Sequence, residues 1–285
     1  MSVKEDGMGA LSNRVAIVTG ASRGLGKDLA IGLGRAGATV VAVARTEKEG
    51  QSAIPGTLEQ TVQLVQEAGG QAVALRCDVA KEEEIQAVVD YTLKSFGRID
   101  ILVNNAGIQV PGTIKDMQVR HWDLIFTVNV KGPFLFSRSV IPAMANQGWG
   151  HILNVSSRQA VGPGPGPYEK PVGGNTHYGT TKAALERFTQ GLAAELAGQG
   201  IAVNALAPRR PIWTEGGHWA VTRGGRQFVY SGWRMTSDIF RDAAVLICSQ
   251  DPRAYTGNVV YDDQVHLSLG RLSEAEVLAH YPVEP

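Results

Sequence analysis

Arg14-Val15-Ala16-Ile17-Val18-Thr19-Gly20-Ala21-Ser22-Arg23-Gly24-Leu25-Gly26 is an apolar run that ends in glycine and leads into a helix. The run to Thr19 is short and continuous, as in a parallel strand covered on both faces. Leu25, Leu29 and Leu33 then recur at steps of four, giving the next helix one apolar stripe. Strand, glycine turn and helix in that order allow backbone to approach a pyrophosphate closely while the first N–H groups of the helix point at it. The spacing is Gly-x-x-x-Gly-x-Gly, not the Gly-x-Gly-x-x-Gly of the general dinucleotide fingerprint. Taken alone, the loop could be a tight turn and nothing more.

Outward from this unit the pattern repeats. Thr39–Ala44 is a second strand, followed by a helix over about Leu58 to Ala68 that stops at Gly69-Gly70. Gln71–Arg76, Ile99–Val103, His151–Val155, Ile201–Leu206 and Asn258–Tyr261 are five further strands. Helical segments lie between them: one with Ile85, Val88, Val89 and Leu93, a long one through Trp122, Leu124, Ile125 and Asn129 to Met144, one at Tyr178, and one over Asp238–Cys248. Strand and helix alternating at this spacing predict an α/β fold: a single doubly wound parallel sheet, Rossmann-like, with helices on both faces. The domain is expected over residues 14–262, after a flexible tail at 1–13 and before an extension at 263–285.

Lysine plus arginine equals aspartate plus glutamate, so nothing in the charge favours capture of nucleic acid or an anionic membrane, and a small neutral partner fits better. The N-terminal residues lack an apolar signal region and no later run approaches ~20 uninterrupted apolar residues, which makes the cytoplasm the expected location. Cys77 and Cys248 each lie in an apolar segment, where a reduced, buried role is expected. No histidine or cysteine cluster has the spacing of a metal site.

Many dinucleotide sites place an acidic residue after the second strand to hold the adenosine ribose 2′-hydroxyl. Here Arg45-Thr46 stands there, and with Arg23 in the glycine loop it suits a 2′-phosphate, so NADP(H) is predicted over NAD(H). Asp78, after the third strand, can cap the next helix or meet a ligand, and Asn104-Asn105-Ala106-Gly107 can serve a turn or a ligand. Tyr178 and Lys182 lie one turn apart on one helical face. Acid–base work by a phenol near neutral pH requires the phenolate to be favoured by ~3 pKa units, or ~4 kcal/mol. An ammonium at ~4 Å in an effective dielectric of ~20 supplies about that much. Such a pair by itself can also be a solvated helix face.

Together these motifs resemble the short-chain dehydrogenase/reductase family over nearly the whole chain. Thr19-Gly20-x-x-x-Gly24-x-Gly26, Asn104-Asn105-Ala106-Gly107, Asn129, Ser157 and Tyr178-x-x-x-Lys182 stand in the family's order. The resemblance implies that Tyr178 donates and accepts the proton and that Ser157 hydrogen-bonds the substrate oxygen. Lys182 would lower the Tyr178 pKa and bind the nicotinamide ribose, and Asn129 would hold a relay water. Gly20, Ser22, Arg23, Gly24, Leu25 and Gly26 would line the phosphate cradle, with Arg45 and Thr46 beside it. Asp78 and Val79 would contact adenine, Asn105, Ala106 and Gly107 the neighbouring ribose, and Ile212 and Thr214 the carboxamide. A homo-oligomer, most often a tetramer, is implied through the helices holding Asn129 and Tyr178.

Three stretches depart from the family pattern. Residues 162–175 lengthen the interval between Ser157 and Tyr178 with alternating glycine and proline, expected as an irregular loop that either shapes the substrate entrance or is a plain surface insertion. Pro208-Arg209-Arg210-Pro211 replaces the usual Pro-Gly; Arg209 could meet a substrate carboxylate, the cofactor phosphates or water. Beyond Tyr261, Ser273–Leu278 can form a short helix that docks on a neighbouring subunit or frays. Within 208–236, Trp213, His218, Trp219, Phe228, Tyr230 and Trp233 suit a lid over an apolar or ring-containing substrate, or else core or subunit contact. The expected activity is NADP(H)-dependent interconversion of a secondary alcohol and a ketone. The alternatives are a non-catalytic cofactor-binding sensor, and a carbon–carbon double-bond reductase or epimerase on the same fold.

Overall fold

Alternation along β1 (Val15–Thr19) decides the layering. Val15 and Ile17 belong to one buried cluster and Ala16 and Val18 to another, because successive strand side chains point to opposite faces. A computed structural model of the chain describes residues 9–170, 175–222 and 233–280. The remaining strands are β2 (Thr39–Ala44), β3 (Gln71–Arg76), β4 (Ile101–Asn104), β5 (Gly150–Val155), β6 (Ile201–Ala207) and β7 (Val259–Tyr261). They form one sheet in the order β3-β2-β1-β4-β5-β6-β7, every pair parallel. The helices are α1 (Gly24–Arg35), α2 (Leu58–Glu67), α3 (Glu82–Phe96), α4 (Val119–Phe126), α5 (Gly132–Gln147), α6 (Thr176–Glu195), α7 (Glu215–Thr222), α8 (Asp238–Cys248), α9 (Asp262–Ser268) and α10 (Glu274–His280). Leu29 and Leu33 of α1, Val65 of α2 and Phe240 of α8 cover one face of the sheet. Val88 of α3, Phe136 of α5 and Leu192 of α6 cover the other.

The expected boundaries shift where side chains take over backbone pairing. β4 begins at Ile101 and not at Ile99, since the N–H and C=O of Ile99 bond to the Gln147 amide. The polar tail is docked before residue 14: Leu11 is buried in the core and its N–H donates to the Ala36 carbonyl. The extension after Tyr261 also packs on its own chain, with Val265 of α9 in the main core and Val277 of α10 against Ile239 of α8. Asp262 is fully buried because it accepts from the Arg209 N–H and from Arg234, which fastens the start of α9 beneath the end of β6. Cys77 and Cys248 are free and buried, and burial pushes both thiols up to about 12, in keeping with a reduced, unreactive role.

His151 in β5 is 1% exposed, packs edge-on against Trp149 and has Nε2 3.0 Å from the Gln250 carbonyl. Burial pushes its pKa down to about 4. The unfolded chain, with its imidazole near ~6.5, binds the proton first as pH falls, so stability is full above that value and is lost on the way down to about 4. Between pH 7 and pH 5 the loss from this residue should be about 2 kcal/mol. Urea unfolding at the two pH values should show the drop in the wild type and a smaller one in His151→Gln; equal drops would remove His151 as the cause.

Candidate active site

The strand order reverses between β1 and β4, so the segments leaving these strands part to opposite layers and open a crevice at the carboxyl edge of the sheet. The glycine loop is built for that edge. Gly20 has φ +67°, and a Cβ there would lie 2.8 Å from the Ala106 Cα. A Cβ on Gly26 would lie 2.3 Å from the Gly20 carbonyl oxygen, so only glycine lets α1 start this close to the turn. Thr19 Oγ1 accepts from the N–H groups of Asn105 and Ala106, while Asn105 Nδ2 donates to the Thr19 and Gly20 carbonyls. The Asn105 amide, expected at a ribose, is thus occupied in strapping β4 to the glycine loop, and the turn continues through Ala106 and Gly107.

The first turn of α1 carries N–H groups with no intrahelical acceptor, and its preceding residue, Arg23, supplies no side-chain cap. Such a terminus fits a diphosphate. One of these donors, Gly24 N–H, is taken by the Glu215 carboxylate at 2.9 Å, which also accepts from Lys27 Nζ at 2.8 Å. Thr214 packs against Gly24, 3.1 Å from where a Cβ would stand, so the start of α7 sits directly on the loop. Ile212 is buried and pairs with Arg234. A cavity of about 420 Å³ opens here between Gly24, Lys27, Trp213, Glu215, Ser237 and Arg241; Tyr178 is not among its walls. Ser22 is buried, and Arg23 turns its guanidinium to the Pro55 and Gly56 carbonyls, with Arg45 exposed and near enough to repel it. Thr46, at the end of β2, is buried, and its carbonyl accepts from the Leu58 N–H.

Asp78 does not cap α3. Its carboxylate accepts from the Ala80 N–H two residues on, and the residue before α3 is Lys81. Val79 packs against Gly132 at the start of α5.

Across the crevice, α6 supplies the second group. His177, fully buried, has Nε2 2.6 Å from the Val110 carbonyl, which ties its first turn to the segment after β4. Tyr178 is half-buried, with Ser157 close enough to favour its phenolate. Lys182 is 4% exposed and donates from Nζ to the Val155 carbonyl at 2.7 Å, with Nζ 5.7 Å from the Tyr178 ring centre. A Cβ on Gly107 would lie 3.7 Å from that Nζ and 3.5 Å from Asn129 Oδ1, so the chain after β4 passes over both. Burial pushes the Tyr178 phenol up to about 12 against the lowering effect of Ser157, and pushes Lys182 down to about 8 against the attraction of Glu186. The phenol therefore lies above its ordinary value, where a depressed one was expected. Desolvation outweighs the help of Ser157, and the nearby ammonium is held on the Val155 carbonyl.

Asn129 is 1% exposed in a π-helical turn, Thr127–Lys131, between α4 and α5. Its amide donates to the Ile108 carbonyl and to Thr181 Oγ1 and accepts from the Ile108 N–H. Its side chain thus ties the segment after β4 to α6. Arg209, read as a possible substrate contact, pairs with Asp263 and stacks 4.0 Å over Tyr261. Residues 161–170 are exposed and without helix or strand, as the glycine and proline content implies; residues 171–174, and Phe228 and Tyr230 of the aromatic segment, lie outside the described residues. Glu215 and Glu186 carry no motif of their own, although the four-residue step from Lys182 to Glu186 is readable as one helical turn. Among the described residues no group of side chains could hold a metal ion, and no helix is long and apolar enough to cross a membrane.

Residues 14–214 match the family model described as short chain dehydrogenase. The chain belongs to the short-chain dehydrogenase/reductase family. Human hydroxysteroid dehydrogenase-like protein 2 is 34% identical over 97% of the chain, which spans only 63% of that protein's length. A short chain dehydrogenase of Mycobacterium thermoresistibile superposes with a TM-score of 0.77 at 30% identity, covering 91% of this chain and 88% of that one. A metagenomic short-chain oxidoreductase solved in complex with NADP gives 0.69 at 30% identity, covering 88% and 98%. Relatives of this family are named as dehydrogenases and reductases.

Proposed function

We propose that this short-chain dehydrogenase/reductase interconverts a secondary alcohol and a ketone with NADP(H). The observation that carries the reading is that Tyr178 and buried Lys182, one turn apart on α6, come together with Ser157 at the carboxyl edge of β5. When bound, the nicotinamide supplies or accepts the hydride. A phenol held near 12 is protonated at neutral pH, which suits Tyr178 to donate a proton to a carbonyl oxygen in the reductive direction. Ser157 orients that oxygen from the other side. Lys182, when charged, offsets the phenolate that donation leaves behind. The α1 terminus and Ser22 would hold the diphosphate with Glu215 displaced from the Gly24 N–H, and Lys182 would bind the nicotinamide ribose. Arg45 after β2, with Arg23 in the glycine loop, would recognise an adenosine 2′-phosphate, and Asp78 and Val79 after β3 would contact the adenine. Trp213, His218 and Trp219 support an apolar or ring-containing substrate, Trp213 and His218 having ring centres 6.0 Å apart. Val119, Leu124 and Phe134 are exposed on α4 and α5, which supports assembly with a second copy through these helices.

A panel of cyclic and aromatic ketones, offered with NADPH and with NADH, tests the reading. Turnover with NADPH and at least ~10-fold weaker binding of NADH are expected from loss of the arginine–phosphate contacts. Binding without turnover across the panel would make the protein a cofactor sensor, and equal binding of the two cofactors would remove the NADP(H) assignment.

A further inference from the structure

Lys182 is buried where an ammonium is costly, and the described residues around it offer little to keep the charge. β5 presents the Val155 carbonyl and the hydroxyls of Ser156 and Ser157; the π turn presents the Asn129 amide; α6 itself presents Tyr178 and Glu186. Of these, Tyr178 and Glu186 are the titratable groups, and Glu186 is the carboxylate whose attraction acts on Lys182. It lies one turn beyond Lys182 on the same helix, and its Oε1 accepts from Ser156 Oγ at 2.6 Å. Ser156 follows Val155, whose carbonyl accepts from Lys182 Nζ. Val155 at the end of β5 and Ser156 just beyond it therefore hold the ammonium and the carboxylate respectively.

We propose that Glu186 is a positioning residue whose carboxylate, oriented by Ser156, keeps Lys182 in its charged form. The inference rests on the reading of Tyr178 and Lys182 as the proton-transfer pair. Each group acts on the other as opposite charges should: Lys182 pulls Glu186 down and Glu186 pulls Lys182 up, both against burial. A neutral amine could not offset a phenolate, and the alkaline limit of activity would then follow the charge on Lys182.

The test is a pH titration of the Lys182 ε-carbon resonance in protein labelled with 13C-lysine, assigned with Lys182→Arg, in the wild type, Glu186→Gln, Glu186→Asp and Ser156→Ala. Removing the negative neighbour lets the ammonium lose its proton more readily, so the midpoint in Glu186→Gln should fall by about one unit, a tenfold change in acid constant. Glu186→Asp keeps the charge and should stay near the wild type. Ser156→Ala loosens the carboxylate without removing it and should move less than Glu186→Gln. The alkaline limb of ketone reduction should move down in step with the midpoint. An unchanged midpoint in Glu186→Gln, or an equal fall in Ser156→Ala and Glu186→Gln, would overturn the proposal. The titration needs no turnover, so an inactive wild type would remove the proposed reaction while the Lys182 midpoint still judged Glu186.

Discussion

Tyr178→Phe should lower ketone reduction by about 10²–10⁴-fold, the span that a positioned acid supplies, while NADPH binding and the thermal midpoint stay near those of the wild type. The substitution removes one oxygen and keeps the ring. The lost hydroxyl stands beside Ser157, whose oxygen accepts from the Gln159 N–H, so little of the surrounding geometry depends on it. Stopped-flow hydride transfer with NADPH and a ketone that the wild type turns over, alongside a fluorescence titration of the cofactor, separates chemistry from binding. Activity surviving within about tenfold would mean that the proton comes from elsewhere, and the role given to Tyr178 would fall.

Asp100→Ala should cost about 1–3 kcal/mol of stability, the range for leaving a buried donor without its acceptor. The Asp100 carboxylate is fully buried and accepts from the Val15 N–H, from Arg14 and from both Arg98 Nε and Nη2. It joins the start of β1 to the start of β4, the two strands that flank the crevice. The arginines are partly exposed and can return to water, so the largest part of the cost falls on the Val15 N–H left without an acceptor and on the void. Urea unfolding should place Asp100→Ala well below Arg98→Ala, whose partner keeps Arg14. A loss under ~1 kcal/mol would show that water enters and replaces the carboxylate.

The sheet could be read from the chain because its strands are continuous apolar runs and its turns are glycine-marked, both local signals. Tyr178, Lys182 and Ser157 were legible for the same reason, each standing at a strand end or one helical turn from the next. Side-chain commitments across long separations were not. Asn105 holds Thr19 and Gly20, Asn129 holds Ile108, and Arg209 holds Asp263; a motif gives the residue but not the partner that occupies it. The direction of the Tyr178 shift was also hidden, because it depends on how much water the fold removes from the phenol, and spacing along a helix carries no measure of that. Arg234 and Asp262 carry no motif at all, yet they pin the base of the aromatic segment through two ion pairs and the Ile212 bridge.

The π turn at Thr127–Lys131 closes with the Gly132 N–H on the Thr127 carbonyl, a five-residue step where an α-helix takes four. One surplus residue there advances the angular phase of everything downstream by about a hundred degrees. Phe136, Val140 and Met144 meet the sheet only in that phase, so the number of residues between Trp122 and Pro133 behaves like a gear tooth count. Trimming one would rotate α5 out of mesh even if every side chain in it were kept.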